Sequence, residues 1–447
     1  MYFLLSIFLI IEFIRFLPFT IRSVRRDRRT LERLRARFGQ YQPLAATGGR
    51  PVLWIHCICV GEVLIARPLV RLIRERFPGY DLVITTTSMA GQFMARAMFR
   101  EEAVGVFYFP TDWKWTVRRA LRSINPSVVL IIERELWPRF LRECRKRKVP
   151  TAIINGRLSP RALQSYQPVA GFMARAVDDL HLALMQTEDD AERMRQLGLS
   201  AERVRVTGNM KFDIELASAE QSSARELGER FRFGDGRPLI VAASTHMPEE
   251  RILLEAFKQV RESVEGRRAR LLIAPREPHR FAEVATLLES SGFNWALRSA
   301  ERRAEDTACE VILLDSMGEL RALYRMADIV FLGGSIPPKG GHSMIEPAAA
   351  GACMLTGAHT ANFASIVQTF LEADGLIQMQ PLTQEDAPGV LAGKLTGLLK
   401  DGERRRILGA NAQSAFERNR GATARTVEQL SGLLGSPGKA IQTQLAR

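Results

Sequence analysis

The segment from 331 to 347 carries residue types that can bind a phosphorylated sugar. An apolar run leads into glycine pairs at 333–334 and 340–341, and His342 and Glu346 follow. Glycine lets backbone N–H groups approach a ligand closely, and the start of a helix favours a phosphate. Glu346 can accept hydrogen bonds from sugar hydroxyls. The pattern predicts a nucleotide-sugar pocket at the carboxyl edge of a parallel sheet. The alternative is a plain glycine-rich turn between a strand and a helix.

Carboxylates follow two apolar runs earlier in the chain. Glu62 comes directly after Gly61, at the expected start of a helix. Glu133 and Glu135 follow a second run, and because side chains alternate along a strand we expect them on one face with Arg134 on the other. Two carboxylates on one face raise each other's pKa unless a cation lies between them. The alternatives are that Glu62 complements the helix dipole and that the pair forms structural salt bridges.

The sequence motifs do not indicate a dinucleotide cofactor, a P-loop or a metal site. The chain has no G-x-G-x-x-G after its first predicted strand and no P-loop sequence. Its histidines are not at metal-ligand spacing, and no Asp-x-Asp is present to hold a divalent metal on a diphosphate donor. We therefore predict no metal and no cofactor. A donor with a single phosphate, held by Arg276 and backbone N–H groups, needs neither, and Lys211 is placed after another strand to neutralise an anion.

Apolar strand-like runs alternate with helical patterns along most of the chain, which predicts βαβ units and parallel sheets. The polar stretch 221–238 is predicted to be a linker between two Rossmann-like doubly wound domains at 26–220 and 239–420, facing each other across a cleft. Residues 421–447 are predicted to be a C-terminal helix and tail. The predicted strands are Val52–His56, Leu82–Thr86, Val128–Ile132, Ala152–Ile154, Leu182–Met185, Val204–Thr207, Leu239–Ala242, Leu271–Ala274, Val311–Leu314, Ile329–Leu332 and Met354–Leu355.

Charge and the N-terminus indicate an anionic partner. The formal net charge of the 447 residues is +14. Residues 1–21 are largely apolar and a run of arginines follows, which is the reverse of a secretory signal and holds that side of a membrane segment in the cytoplasm. We predict a membrane-anchor helix at 1–25, either spanning or interfacial, with the catalytic domains on the cytoplasmic side of the inner membrane. A buried amphipathic helix is the alternative. No nucleic-acid-binding motif is present, so nucleic acid is not an expected partner.

Taken in order, these motifs resemble the 3-deoxy-D-manno-octulosonic acid (Kdo) transferases over nearly the whole chain. The matching segments are the N-terminal anchor, Trp54-Ile55-His56 through Val60-Gly61-Glu62, Glu133-x-Glu135-Leu136-Trp137-Pro138, Asn155-x-Arg157-Leu158-Ser159, Thr207-Gly208-Asn209-x-Lys211, Ser244-Thr245-His246, Ala274-Pro275-Arg276, Met317-Gly318-Glu319-Leu320 and Gly333 to Pro347.

The resemblance implies a GT-B glycosyltransferase fold and inverting transfer of Kdo from CMP-Kdo to the lipid A precursor in lipopolysaccharide biosynthesis. It also implies roles for individual residues. Glu62 is the general base, and Glu133 and Lys211 support charge in the transition state. The expected CMP-binding residues are Pro275, Arg276, Met317, Gly318, Glu319, Ser343, Met344, Ile345 and Glu346.

The sequence departs from the usual family pattern at several positions. Cys59 stands where Ser is usual, Arg134 interrupts the acidic motif, and Arg139 replaces Asn. Glu277 replaces a common His, and Ser343 a common Asn. Cys59 and Arg139 lie on the expected acceptor side and bear on the identity of the acceptor. Two other hypotheses are a GT-B transferase that uses a UDP-sugar and an inactive paralogue that binds membrane glycolipid.

Overall fold

The computed structural model describes residues 28–44, 49–213 and 220–435. Within them the chain forms two compact units, one of residues 28–213 with 420–435 and one of residues 220–419. The predicted anchor at 1–25 and the end of the predicted tail, from 436 onward, lie outside the described residues. In the ranges that are described, no helix has the length and apolar character needed to cross a membrane.

The first unit is a seven-stranded sheet in the order β3-β2-β1-β4-β5-β6-β7, with all neighbours parallel. Its strands are Val52–Cys57 (β1), Asp81–Thr86 (β2), Ala103–Tyr108 (β3), Pro126–Ile132 (β4), Thr151–Gly156 (β5), Leu182–Met185 (β6) and Val204–Val206 (β7). Its helices are Arg28–Arg37 (α1), Val60–Arg76 (α2), Met89–Met98 (α3), Lys114–Ile124 (α4), Pro138–Lys146 (α5), Pro160–Tyr166 (α6), Ala170–Val177 (α7) and Glu188–Gln196 (α8). Helix α17, Ala422–Leu434, also packs in this unit.

The second unit is another all-parallel seven-stranded sheet, in the order β10-β11-β9-β8-β12-β13-β14. Its strands are Leu239–Thr245 (β8), Arg270–Pro275 (β9), Trp295–Leu297 (β10), Val311–Leu313 (β11), Ile329–Leu332 (β12), Met354–Thr356 (β13) and Leu376–Gln378 (β14). Its helices are Glu220–Phe231 (α9), Glu249–Glu262 (α10), Phe281–Glu289 (α11), Leu320–Leu323 (α12), Ile345–Ala349 (α13), Ala364–Glu372 (α14), Ala387–Lys400 (α15) and Gly402–Asn419 (α16).

Both faces of each sheet are covered, which is why the central strands are continuous apolar runs rather than alternating ones. Every residue of β1, β5 and β9 is buried. In each sheet the strand order reverses beside the first strand, between β1 and β4 in the first unit and between β8 and β12 in the second. Ligands of open α/β sheets bind at the carboxyl ends of the strands at such a switch point.

The prediction of two doubly wound parallel sheets is confirmed. All eleven predicted strands are present, and the three that the apolar runs missed are β3, β10 and β14. Each missed strand lies at the edge of its sheet and is only half-buried over most of its length. An edge strand faces the core less completely, so its sequence is less apolar. The stretch predicted as a linker carries helix α9, which belongs to the second unit.

Candidate active site

Glu62 lies at the switch point of the first sheet, in the first turn of α2 just after β1. Its side chain is buried, with 5% of the residue exposed, and its Oε2 accepts a hydrogen bond from the backbone N–H of Ile58 at 2.6 Å. The carboxylate lies in the first turn of α2, where it complements the helix dipole as the structural alternative predicts. One accepted hydrogen bond leaves most of its acceptor capacity open, so this position does not preclude a chemical role.

Glu133 and Lys211 form an ion pair in the same unit. Glu133 directly follows β4, the strand beside β1, and Lys211 lies in the 3-10 helix Met210–Asp213 after β7. Lys211 Nζ is 2.7 Å from Glu133 Oε1, and both side chains are largely shielded from water, at 20% and 13% exposed. We call Glu62, Glu133 and Lys211 the carboxylate site. All three predicted catalytic residues are thus brought to one edge of the first sheet.

The expected alternation of Glu133, Arg134 and Glu135 on a strand is wrong. Strand β4 ends at Ile132, and Glu133 opens a turn with φ of +64°. A left-handed backbone costs free energy for a residue other than glycine, and such residues concentrate at functional sites. Arg134 is exposed in this turn. The turn, and not the pleat of a strand, determines where the two carboxylates lie.

Burial raises the pKa of Glu62 from 4.5 to about 8. The Ile58 N–H and the Lys211 charge oppose this effect, whereas the charges of Glu133 and Glu135 add to it. Burial disfavours the ionised form because water no longer solvates the charge, and nearby like charges disfavour it further. A carboxylate with a pKa near neutrality is suited to take a proton from an alcohol and release it again.

The predicted CMP-binding residues occupy the carboxyl ends of strands in the second unit. Pro275 ends β9 and is buried, and Arg276 follows it with an exposed side chain. Met317, Gly318 and Glu319 form the turn between β11 and α12. Gly318 has φ of +89° and no neighbouring heavy atom where a Cβ would lie, so its backbone is open to a ligand.

An ion pair joins two of these predicted segments. Arg321, on α12 directly after the 317–319 turn, donates from Nε to Oε1 of Glu346 at 2.7 Å. Glu319 accepts hydrogen bonds from Arg298, the shortest at 2.8 Å, and from the Ser316 hydroxyl. Burial acts to raise the pKa of Glu319, but these hydrogen bonds and the guanidinium charge outweigh it and the pKa is lowered.

The segment 343–346 differs from the expectation in two ways. The side chains of Met344 and Ile345 are buried, so only their backbone can contact a nucleotide. The helix that begins there, α13, is only five residues long. Its dipole is correspondingly small, and we assign no phosphate-binding role to that helix end.

The expectation that the glycine loop offers its N–H groups to a phosphate is also wrong for 334–336. These N–H groups donate instead to the buried carboxylate of Glu249, at 2.7 Å from Gly334 and 3.0 Å from Ser335 and Ile336. The N–H of His246 donates to Glu249 as well, at 3.0 Å. The carboxylate therefore holds together the loops after β8 and β12. We call these two loops, with Glu249, Arg276 and the segments 317–319 and 343–346, the glycine-loop site.

Sequence reasoning missed Glu249 because nothing local marks it. It is the first residue of α10, where a glutamate is ordinary, and three of its four partners lie 85 to 87 residues away. The available signal was the glycine-containing loop after β12, whose backbone N–H groups converge at a strand end. Backbone N–H groups that converge in such a place require an acceptor.

The residues that depart from the family pattern differ in what they contact. Cys59 is the exposed N-cap residue of α2, and its side chain caps no N–H group. The backbone N–H groups of Arg139 and Phe140 donate to Asp112, so residue 139 is fixed through its backbone at the start of α5. Glu277 Oε2 is 4.0 Å from His246 Nδ1. Among the described residues, no group of three or more His, Cys, Asp or Glu side chains is arranged to hold a metal.

Solved structures show the same fold at low sequence identity. UDP-GlcNAc 2-epimerase from Neisseria meningitidis superposes with a TM-score of 0.55 at 15% identity, covering 85% of this chain and 99% of that one. A glycosyltransferase from Rickettsia africae superposes with a TM-score of 0.55 at 12% identity, covering 86% and 99%. With the two switch-point sites, this likeness defines the class as a GT-B type fold.

Sequence comparison identifies the family. The family model described as 3-deoxy-D-manno-octulosonic-acid transferase matches residues 32–214. The 3-deoxy-D-manno-octulosonic acid transferase of Haemophilus influenzae is 31% identical over 404 residues, covering 90% of this chain and 92% of the relative. That of Bordetella pertussis is 32% identical over 406 residues, covering 90% and 91%. The chain belongs to the Kdo transferase family and is a glycosyltransferase of lipopolysaccharide synthesis.

Proposed function

We propose that this chain transfers Kdo from CMP-Kdo to a sugar hydroxyl of the lipid A precursor (lipid IVA), with inversion and with Glu62 as the base. The observation that carries the proposal is Glu62 itself. It is buried at the switch point of the first sheet, its pKa is raised to about 8, and the Glu133–Lys211 ion pair lies on the same edge. Family membership supports the donor and the acceptor.

The chemical step is a single displacement. The acceptor oxygen forms a bond to the anomeric carbon of Kdo while the bond from that carbon to the phosphate oxygen breaks. The acceptor proton passes to the Glu62 carboxylate, and CMP leaves with the bonding electron pair. Because CMP leaves as a phosphate monoester, positive side chains suffice to stabilise it, and a base on the opposite face gives inversion.

Lys211 and Glu133 act on the charge of the Glu62 carboxylate in this step: Lys211 stabilises it, and Glu133 holds Lys211 in place. The ionised form of Glu62 is disfavoured by burial, and Lys211 is the nearby cation that favours it. Glu133 holds the ammonium group of Lys211 at 2.7 Å, which fixes the position of that charge. A fixed charge needs no reorganisation when the transition state forms, so it stabilises that state more than a mobile one would.

The glycine-loop site is proposed to bind CMP. Arg276 supplies a cation to the phosphate, the open backbone of Gly318 admits the nucleotide closely, and Glu346 accepts hydrogen bonds from the ribose. The Arg321–Glu346 ion pair supports this role by orienting the carboxylate. Pro275, Met317, Glu319 and Ser343 to Ile345 complete the proposed contacts.

Exposed apolar side chains beside Glu62 support a lipid acceptor. Met89 and Phe93 are 65% and 77% exposed one helical turn apart on α3, and Leu64 on α2 is 40% exposed. Gly91 of the same helix packs against Cys59, three residues before Glu62. We propose that this apolar face meets the acyl chains of the acceptor at the cytoplasmic surface of the inner membrane. The net charge of +14 favours an anionic leaflet.

Transfer to a defined acceptor tests the function. Kdo is supplied as CMP-Kdo made in situ, the acceptor is a tetraacyl disaccharide bisphosphate, and the product mass gives the number of sugars added. We expect transfer that Glu62→Gln abolishes and that CMP inhibits. Inhibition by UDP but not CMP would favour a UDP-sugar transferase, and CMP binding without transfer by the wild type would favour an inactive paralogue.

Vesicle experiments test the apolar face separately. Met89→Ser with Phe93→Ser should reduce transfer to acceptor in vesicles of anionic lipid about tenfold or more, because two large exposed side chains lose apolar contact area. Val264→Ser changes a side chain that is 74% exposed in the second unit and serves as the matched control. An equal loss of transfer in the double variant and in Val264→Ser, or no loss in the double variant, would contradict the proposed membrane contact.

A further inference from the structure

Two histidine side chains touch at the glycine-loop site. The Nε2 atoms of His246 and His342 are 2.9 Å apart, and the two rings are nearly parallel, with an interplanar angle of 5°. At this distance one Nε2 must carry the hydrogen and the other must accept it. The contact therefore cannot persist once both Nε2 atoms carry a hydrogen, which a single proton added to the accepting Nε2 brings about. Neither histidine side chain has a role of its own in the function proposed so far.

Three features of the fold hold the two rings together. A register shift at Ser244, which has φ of +55°, turns the chain at the end of β8 just before His246. The Glu249 carboxylate binds the loops that carry both histidines. The Cβ position of Gly334, with φ of +66°, lies 3.1 Å from the His342 ring and 3.2 Å from the His246 ring. A larger residue there would push the rings apart.

The pair lies at the switch point of the second sheet, where a ligand is expected. His246 follows β8 and His342 lies in the loop after β12, and these strands are neighbours. His342 directly precedes Ser343, the first residue of the segment proposed to bind CMP. The backbone N–H of Arg276 donates to the carbonyl of Thr245, beside His246. Each ring therefore lies beside one group of proposed CMP ligands. His342 is next in sequence to the 343–346 segment, and His246 is next to Thr245, whose carbonyl binds the N–H of Arg276.

The surroundings favour the neutral form of the His342 ring. Burial, together with the charges of His246 and Arg276, lowers the pKa of His342 to about 4. Burial also lowers the pKa of His246. An anion bound against the rings would act in the opposite direction, because a negative charge favours the imidazolium form.

The charges around His246 do not override that burial. The carboxylates of Glu277 and Glu250 raise its pKa, whereas Lys339 and Arg280 lower it. Glu250 is committed to Arg280, with Oε1 accepting at 2.7 Å, so its charge is largely neutralised. Glu277 is half exposed and 4.0 Å from Nδ1. Neither carboxylate supplies the charge that would hold a second proton on the pair.

We propose that His246 and His342 form a phosphate-binding pair that takes up one proton when CMP binds. On this proposal, which rests on the function proposed above, the Nε2–Nε2 contact opens and an imidazolium N–H donates to a phosphate oxygen of the nucleotide. The phosphate becomes more negative as its bond to the sugar breaks, so the same N–H stabilises the leaving group. The pair positions and stabilises CMP and is not the base.

Proton uptake on CMP binding is the deciding measurement. Calorimetric titration of the full chain with CMP at pH 7.5, in two buffers of different ionisation enthalpy, gives the number of protons taken up. The nucleotide phosphate is already dianionic at this pH, so an uptake comes from the protein. The Glu62→Gln background removes the proposed base, whose pKa of about 8 lies near this pH. We expect uptake of about 0.5 to 1 proton per CMP with the pair intact, as a binding-linked pKa shift requires.

Substitutions separate the pair from the rest of the site. His246→Asn and, independently, His342→Asn should remove the proton uptake and weaken CMP binding about tenfold. His279→Asn is the control, because His279 is an exposed histidine that follows β9, and it should change neither quantity. Thermal unfolding of each variant identifies one that fails to fold, and the other variant then decides. CMP binding without proton uptake in the intact pair, or uptake unchanged in both variants, would overturn the proposal while leaving the proposed function standing. Absence of CMP binding in every form would instead overturn both.

Discussion

The carboxylates of the two sites differ in the number of donors around them. In the carboxylate site, Glu62 accepts one backbone hydrogen bond, lies near two other carboxylates and has its pKa raised to about 8. In the glycine-loop site, Glu249 accepts four backbone N–H groups. Glu319 and Glu346 each pair with an arginine there.

This difference separates the proposed base, which has few donors, from carboxylates that several donors or a guanidinium hold in place. A base must lose and regain a proton near neutral pH, so its ionised form must be only weakly favoured. A carboxylate that holds loops or orients a ribose must stay ionised, so it needs several donors or a guanidinium. The number of donors around each carboxylate, and not its burial alone, therefore distinguishes the proposed base from the positioning residues.

Removal of the base should give the largest effect. Glu62→Gln should lower kcat roughly 10²–10⁴-fold while CMP binding is retained, because the amide keeps the hydrogen bond from Ile58 but cannot take a proton. Steady-state transfer and calorimetric CMP titration measure the two quantities. Glu75→Gln, at an exposed glutamate on the same helix, is the control. Full activity in Glu62→Gln would remove that residue from the base role and erase the contrast between the sites.

Loss of the cation in the carboxylate site should rank second. Lys211→Met should lower kcat/KM roughly 10–10²-fold, because Glu133 is left without its partner and the ionised form of Glu62 loses a nearby positive charge. The pH dependence of kcat/KM should also move to higher pH in this variant. Lys211→Arg restores the charge with different geometry and should recover part of the rate. An unchanged pH profile in Lys211→Met would show that the two residues do not act on Glu62.

The pH dependence should carry the signature of a raised pKa. In the wild type kcat/KM should rise with pH and reach half its maximum near pH 8, where Glu62 loses its proton in the folded protein. Stability should move the other way. The unfolded chain releases the Glu62 proton near pH 4.5 and the folded chain near pH 8, so folding stability falls as pH rises between these values.

Glu62→Gln should abolish that loss of stability. At pH 8 the variant should be more stable than the wild type by roughly 1–3 kcal/mol, and near pH 4 the two should be equal. Denaturant unfolding at both pH values measures the difference. A wild type that is the more stable of the two at pH 8 would mean that the Glu62 carboxylate is satisfied like those of the glycine-loop site.

Disturbing a carboxylate of the glycine-loop site should affect binding more than chemistry. Arg321→Gln leaves Glu346 without its guanidinium partner, so CMP affinity should fall about three- to tenfold with kcat reduced less than KM rises. Arg251→Gln, on the exposed face of α10, is a control at a residue outside both sites. A fall in kcat with unchanged KM would assign Glu346 to the chemical step and not to the ribose.

Much of the fold followed from the sequence because parallel strands covered on both faces are long apolar runs. The central strands were found for that reason, and β3, β10 and β14 were missed because edge strands are only partly covered. The proposed site residues were located because they follow strands. The side chains that these residues contact were not located, because such partners are distant in the sequence. His246 and His342, for example, are 96 residues apart. The apolar run and the strand both end at Ile132, but no local pattern marks the left-handed glutamate that follows, so the orientation of Glu133 and Glu135 was not predicted.

The smallest effect should come from Arg134, the departure nearest the carboxylate site. Its side chain is exposed, and its charge acts on Glu135, whose pKa it lowers against the dominant effect of burial. Arg134→Thr should therefore change kcat/KM by no more than about twofold, and added salt should remove even that difference, because exposed charges are screened. Kinetics at low and high ionic strength measure this. If the wild type is inactive and Arg134→Thr restores transfer, the exposed turn controls the site, and the distinction drawn from buried donors alone would be wrong.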